Sequence, residues 1–364
     1  LKRTLSLLCL GLGAYACGGH RPLPAPLFPL SRAWQAELAD YIVSPLATDA
    51  RRLYVATRNG VVTAFDLTTG TPQWTIEDRA GRLTATPGRL ILRGEDGTVW
   101  SLRPRDGTPR WTTETAIPGT LPVVLDGDRL YVAGDGVAAL DMETGRVLWT
   151  HTTVSEVTAP PVPTSTRLLA GEADGIVYCR DRATGLPLWG HRTGGPLIAP
   201  PLVDEKRRRV YLGTTARAIR ELDLEKGDAG WAWRVGADIQ SPGLLLPDRV
   251  LFAAFDAVLY GLTRGGNLVW RTPLPSRPLS GPLLVGDHIL IACHENEILG
   301  FHLETGLPAG SLRTEAQIRT PPVVEGGRVF VGLRNRVVAA FALPTRGLPS
   351  TSPASAPGPA PSAP

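Results

Sequence analysis

The chain is short of lysine, methionine and cysteine. Its 364 residues carry lysine only at Lys2, Lys206 and Lys226, against an arginine-rich remainder, with 1 Met and 4 Cys. The net charge of +4 is small for this length and gives no sign of a nucleic-acid partner. No stretch keeps a 3.6-residue apolar period for ten residues, which excludes a helical architecture. The 6 His show no metal-ligand spacing. There is no Gly-x-Ser-x-Gly element of a hydrolase and no pair of adjacent cysteines. What the chain has in quantity is glycine (40) and proline (34), about a fifth of all residues. That turn-rich composition points to an all-β fold.

The first twenty residues, LKRTLSLLCLGLGAYACGGH, have Lys2 and Arg3, then an apolar run from Leu5 to Tyr15, then small residues. This pattern predicts a signal peptide over residues 1–16, too short to span a membrane. Two kinds of processing fit. Ala14-Tyr15-Ala16 suits ordinary cleavage, and AYAC with Gly18-Gly19 behind it suits lipidation of Cys17. A lipid there would tether a soluble domain by burying its acyl chains. Residues 17–32 then read as the lipidated cysteine and a Pro-rich tether. Residues 344–364, rich in Pro, Ala and Ser, read as a disordered tail.

Between these segments one phrase recurs: AFDLTTGTPQW, ALDMETGRVLW and CRDRATGLPLW. The tryptophan that ends it stands at Trp34, Trp74, Trp111, Trp149, Trp189, Trp233 and Trp270, with Gly310 in the next slot. Each unit reads as four short strands joined by Gly/Asp turns, as in TAPPV, RLLAG, IVYCRD and LPLW. Four-stranded units of about forty residues are the blades of a propeller, which bury their faces by stacking radially. Eight second strands can be counted, from LYVAT to VFVGL. The last unit lacks its outer strand, and RAWQAEL has no preceding strands of its own. The sequence therefore predicts an eight-bladed β-propeller of four-stranded antiparallel blades over residues 33–343, its last blade closed by the N-terminal strand.

The columns of the phrase read as architecture. Asp66, Asp141, Asp181 and Asp223 precede turns closed by Gly70, Gly145, Gly185 and Gly227. A short carboxylate there accepts N–H groups of its own turn, and glycine supplies the positive φ. The tryptophans cover the joints between blades. Cys179 occupies a slot that holds Ala64, Ser101 and Ala139 elsewhere, and Cys293 a slot shared with Thr57 and Gly134. Both read as buried thiols.

The unit AxDxxTGxxxW resembles the pyrroloquinoline-quinone-type propeller repeat, over about residues 33–343. Within that family the chain is similar to the BamB-type lipoprotein of the outer-membrane β-barrel assembly machinery. The AYAC box, eight uninterrupted blades and a seventh blade without tryptophan carry the resemblance. It implies a non-enzymatic propeller with no cofactor, anchored by lipid in the outer membrane and facing the periplasm. Such a protein is a monomeric subunit of a larger complex, with the assembly barrel as a protein partner. The mid-propeller connection HTTVSEV (His151–Val157) departs from the type, lacking its leucine- and arginine-bearing partner loop. The alternative within the family is a soluble periplasmic or secreted quinone- or sugar-binding propeller, related to the quinoprotein dehydrogenases. Those enzymes hold calcium and quinone with a Glu/Asn/Asp set. Here Glu156 and Asp238 stand alone, and HENE (His294–Glu297) reads as a turn.

A propeller binds partners through the loops at one end of its ring. At the end that carries the inter-blade connections, blades eight and one contribute Arg58, Arg319, Arg334 and Arg336. Blades two to four contribute Glu95, Asp96, Asp135, Glu172 and Asp174. This end reads as split between a basic and an acidic arc, the basic arc being the candidate partner surface. The opposite end carries EKRRR (Glu205–Arg209), a hairpin tip able to meet anionic headgroups.

Overall fold

Blade four shows how each repeat folds. Its strands, Val162–Pro163, Arg167–Gly171, Ile176–Asp181 and Pro187–Arg192, pair in chain order as an antiparallel meander. Turns with glycine at positive φ join the last three of them, Gly175 at φ 77° and Gly185 at φ 74°. Six further blades repeat this order between residues 47 and 313. The computed structural model describes residues 26–344. The expected signal peptide, Cys17 and all but the first residue of the expected tail lie outside them. Among the described residues there is no helix, so none is long and apolar enough to cross a membrane.

The eighth blade is built from both ends of the described chain. Val323–Glu325, Arg328–Gly332 and Val337–Ala342 supply three strands, and Ser31–Glu37 pairs antiparallel as the outermost. Its register sets Trp34 opposite Ala340, as Trp74 lies opposite Ala64 and Trp149 opposite Ala139. The ring is thereby closed by the N-terminal strand, and blade eight has no unpaired third strand.

Seven joints are covered alike: an indole leaves its own blade and lies on the turn glycine of the next. In six of them its Nε1–H meets a backbone carbonyl, whereas Trp270 of blade six covers Gly306 with no hydrogen-bond partner for its Nε1 among the described residues. Trp34 donates to Leu67 O at 3.1 Å, Trp74 to Pro104 O at 2.9 Å, Trp111 to Met142 O at 3.2 Å, and Trp149 to Arg182 O at 3.2 Å. Trp189 donates to Leu224 O at 3.1 Å. The turn glycine admits no side chain: a Cβ on Gly145, at φ 72°, would sit 2.5 Å from the Trp111 ring.

Blade five corrects one member of the series. There the fastening indole is Trp231, which donates to Arg264 O at 2.9 Å and covers Gly266. Trp233 instead pairs with Ile219, two residues further along the strand. A bulge between Arg220 and Leu222 shifts the register, at the position where Glu221 fills the slot that is small elsewhere.

Blade seven has no tryptophan, and its joint is fastened from outside. The Phe28 ring lies where an indole would stand, so that a Cβ on Gly310 would meet Phe28 Cβ at 2.8 Å. A Cβ on Gly300, the paired small slot, would meet the ring at 2.3 Å. Leu27 and Leu30 are buried beside it, against Ile298 of blade seven and Val331 and Phe341 of blade eight. Residues 27–32, assigned to the tether from sequence, thus belong to the propeller: 27–30 pack into the last joint and 31–32 begin the closing strand. Phe28→Ala is expected to lower the unfolding free energy by about 2 kcal/mol, the value of burying most of a phenylalanine side chain. Urea denaturation checks this, with Leu188→Ala on the exposed rim as a near-neutral control.

A candidate partner-binding face

The aspartates of the repeated phrase are committed to their turns. Asp66 Oδ1 accepts the N–H groups of Thr68 at 2.9 Å and Thr69 at 2.8 Å. Asp141 does the same with Thr144, and Asp181 with Thr184, each also taking the threonine hydroxyl. These bonds hold all three carboxyls below the ordinary carboxylate range. Asp223 accepts from Glu225 N at 2.9 Å and also pairs with Arg209. Cys179 and Cys293 are buried free thiols in different blades, and burial pushes them up to about 12 and about 11.

No group of three or more His, Cys, Asp or Glu among the described residues is arranged to hold a metal ion. Within HENE, Asn296 is used by the turn, its Nδ2 donating to Thr314 O at 3.0 Å. At the opposite end the EKRRR tip is partly neutralised. Arg207 pairs with Asp204 at 3.2 Å, and Arg209 with Glu221 and Asp223 at 2.7 Å each.

The four candidate arginines are all exposed, and three converge on one segment. That segment is the connection from the closing strand into blade one. Arg58 pairs with Asp40 at 3.2 Å and stands over the Tyr41 ring at 5.2 Å. Arg336, at φ 63°, donates to Ala39 O at 3.4 Å. Arg319 Nε donates to Ile42 O at 2.9 Å. Arg334 holds its loop through the backbone alone, its N–H donating to Gln317 O. Asp40 is held below the ordinary carboxylate range, first by the Tyr41 N–H and further by Arg58 and Arg336. A fifth guanidinium, not singled out from the sequence, joins them: Arg82 of blade two donates to Val43 O. Its signal was a break in the column of innermost prolines, where Pro45, Pro122, Pro160 and Pro200 stand in other blades.

The acidic arc is smaller than the sequence indicated. Glu95, Asp96 and Asp135 are exposed, but Glu172 is wholly buried. Its carboxylate lies 3.5 Å from the Arg180 guanidinium, itself buried, and accepts Ser155 N–H at 3.2 Å. Burial raises the Glu172 carboxyl above the ordinary range, against the pull of the Ser155 N–H and Arg180. Arg180 occupies a slot that is apolar in every other blade: Phe65, Leu102, Leu140, Leu222, Leu262, Phe301 and Phe341. Arg93 is a second buried guanidinium, in an Ala/Gly slot. It donates to Ile117 O, Leu121 O and Ala133 O at 2.6–2.9 Å, and burial lowers it to about 10.

The sequence profile of the family described as outer membrane protein assembly factor BamB matches residues 31–156 and 133–340, nearly the whole ring. The chain belongs to this family. Membership of the BamB family accounts for the fold and its closed ring. The crystal structure of BamB from Moraxella catarrhalis superposes with a TM-score of 0.72 at 19% identity, covering 86% of this chain and all of that one. The computationally designed Ika8 protein gives a TM-score of 0.72 at 16% identity, covering 84% of this chain and 97% of that one. The quinohemoprotein alcohol dehydrogenase from Comamonas testosteroni gives 0.70 at 13% identity, covering 86% of this chain and 76% of that one. At these identities the superpositions show the shared fold. No curated protein sequence matches the chain.

Proposed function

We propose that this BamB-family propeller is a non-enzymatic scaffold of the cell envelope that serves the assembly of outer-membrane β-barrel proteins. Cys17 would carry the lipid that holds it at the outer membrane, facing the periplasm. The observation that carries the reading is the family match, which runs through both halves of the ring. The partner would meet the end that bears Arg58, Arg319, Arg334 and Arg336, where guanidiniums outnumber the one carboxylate paired to them. Complementary charge there would orient the partner and speed its docking.

The test is a mild crosslink and pull-down of the full chain from its native envelope. Enrichment of the assembly barrel is expected, falling about tenfold when Arg58, Arg334 and Arg336 are all reversed to Glu. Undiminished enrichment would move the binding face elsewhere, and absence of the barrel would remove the assembly role. The fold shared with a quinohemoprotein dehydrogenase supports a second reading, a quinone-binding propeller. Pyrroloquinoline quinone at one hundred times its dissociation constant would then stabilise the protein by about 2.7 kcal/mol. The scaffold reading expects no shift.

A further inference from the structure

Residues 42–45 of blade one pass between two cations at the inner edge of the ring. The first strands of blades one, two and eight lie side by side there. Arg82 reaches in from blade two and Arg319 from blade eight. Backbone carbonyls fix both guanidiniums: Arg82 donates to Val43 O and, through Nε, to Thr120 O at 3.1 Å. Arg319 donates through Nε to Ile42 O at 2.9 Å. Carbonyls position a guanidinium without neutralising it. Neither arginine forms an ion pair among the described residues, and both terminal nitrogens of Arg319 are without a partner there.

The two cations line one cleft of about 210 Å³ with Ile42, Val43, Pro45 and Pro321, and no carboxylate shares it. Both of its hydroxyl oxygens accept a backbone N–H. Ser44 Oγ accepts Leu83 N–H at 3.0 Å and donates to Pro45 O, and Thr320 Oγ1 accepts Gly332 N–H at 2.9 Å. Two other arginine-bearing clefts differ. The neighbouring one, about 220 Å³, sets Glu95 beside Arg58 and Arg82. The one at the opposite end, about 330 Å³, sets Asp128 and Asp181 beside Arg129 and Arg182. In the first, two guanidiniums held by backbone carbonyls face a space with no carboxylate in its lining. A preorganised fork of N–H donors in such a place selects a planar or tetrahedral oxyanion.

We propose that the cleft between Arg82 and Arg319 binds an oxyanion, a carboxylate or a phosphate, on a small ligand or chain end entering along the inner edge of the ring. The inference does not depend on the identity of the protein partner, because its test needs only the purified chain. Inorganic phosphate and acetate are titrated in separate arms at low ionic strength, where screening is weak. Thermal melting and, for phosphate, the width of its phosphorus resonance report binding. Saturable binding of at least one anion is expected, with a dissociation constant in the range of about 1–10 mM. Arg319→Gln, an exposed substitution, is expected to weaken it about tenfold, as loss of a charged hydrogen-bond donor does. Arg82→Gln should do the same, and Lys226→Gln, exposed in a turn of blade five away from the cleft, should leave it unchanged. Tighter phosphate would assign the site to phosphorylated ligands, tighter acetate to carboxylates. No saturation by either anion, or equal binding by Arg319→Gln, would overturn the proposal.

Discussion

Trp34→Ala is expected to lower the unfolding free energy by about 3–5 kcal/mol, the range for truncating a buried tryptophan. The residue is first of the tryptophans in the chain and last in the ring. It belongs to the strand that completes blade eight, yet its indole fastens blade one. The ring lies 6.3 Å from Phe65 and 5.8 Å from Phe330, and its N–H meets Leu67 O. Alanine removes that packing and strands a carbonyl under the joint. Loss of any joint tryptophan should cost a similar amount, but only this one should release the closing strand. Hydrogen exchange separates the cases. In Trp34→Ala the amides of Ser31–Glu37 should exchange markedly faster, and in Trp189→Ala they should stay protected. A loss within about 0.5 kcal/mol, the range of neutral surface substitutions, would contradict the account of closure.

The second large effect concerns the ion pair buried inside blade four, between Glu172 and Arg180. Arg180→Leu restores the residue class of the other seven blades, yet it is expected to destabilise by about 3–5 kcal/mol. The cause is Glu172, left buried without its counter-charge. Adding Glu172→Thr, the residue of blades one and five at Thr57 and Thr214, removes the orphan. The double variant should return to wild-type stability or exceed it by about 1–4 kcal/mol, since packed apolar residues often outperform a buried pair. Acidity gives an independent reading. The folded-state pKa of Glu172 lies above its ordinary value, so the folded chain holds this proton more tightly than the unfolded chain. Its contribution is therefore fully present below the ordinary carboxylate pKa and lost as pH rises through the raised value. The deficit of Arg180→Leu should be largest at neutral pH and shrink towards pH 5, by chemical denaturation at both. A deficit independent of pH would assign the loss to packing alone.

The ring was legible because the same physical problem recurs at every joint. A turn that needs positive φ, a carboxylate that caps it and an indole that covers it leave a fixed phrase in the chain. The unpaired Trp34 and the unfinished last unit then implied closure. Three features were hidden for definite reasons. Phe28 replaces an indole in blade seven from a segment far away in sequence, and no local pattern announces such a contact. The choice of Trp231 over Trp233 depends on a bulge, which shifts register without altering composition. Glu172 read as a loop carboxylate because its partner, Arg180, lies on the adjacent strand and breaks a column only visible once the blades are aligned. At the candidate face, counting charges on loops found Arg58, Arg319, Arg334 and Arg336. Arg82 escaped because it stands in a strand, and its reach to Val43 is a property of the closed ring.

The face itself can be tested directly by photo-crosslinking in the native envelope. A photoreactive residue at Asn59, beside Arg58 on the exposed turn, is compared with one at Asp128 on the opposite end. The account predicts adducts with the outer-membrane assembly barrel from position 59 and none from position 128. Adducts from position 128 alone, or none with that barrel from either, would contradict it.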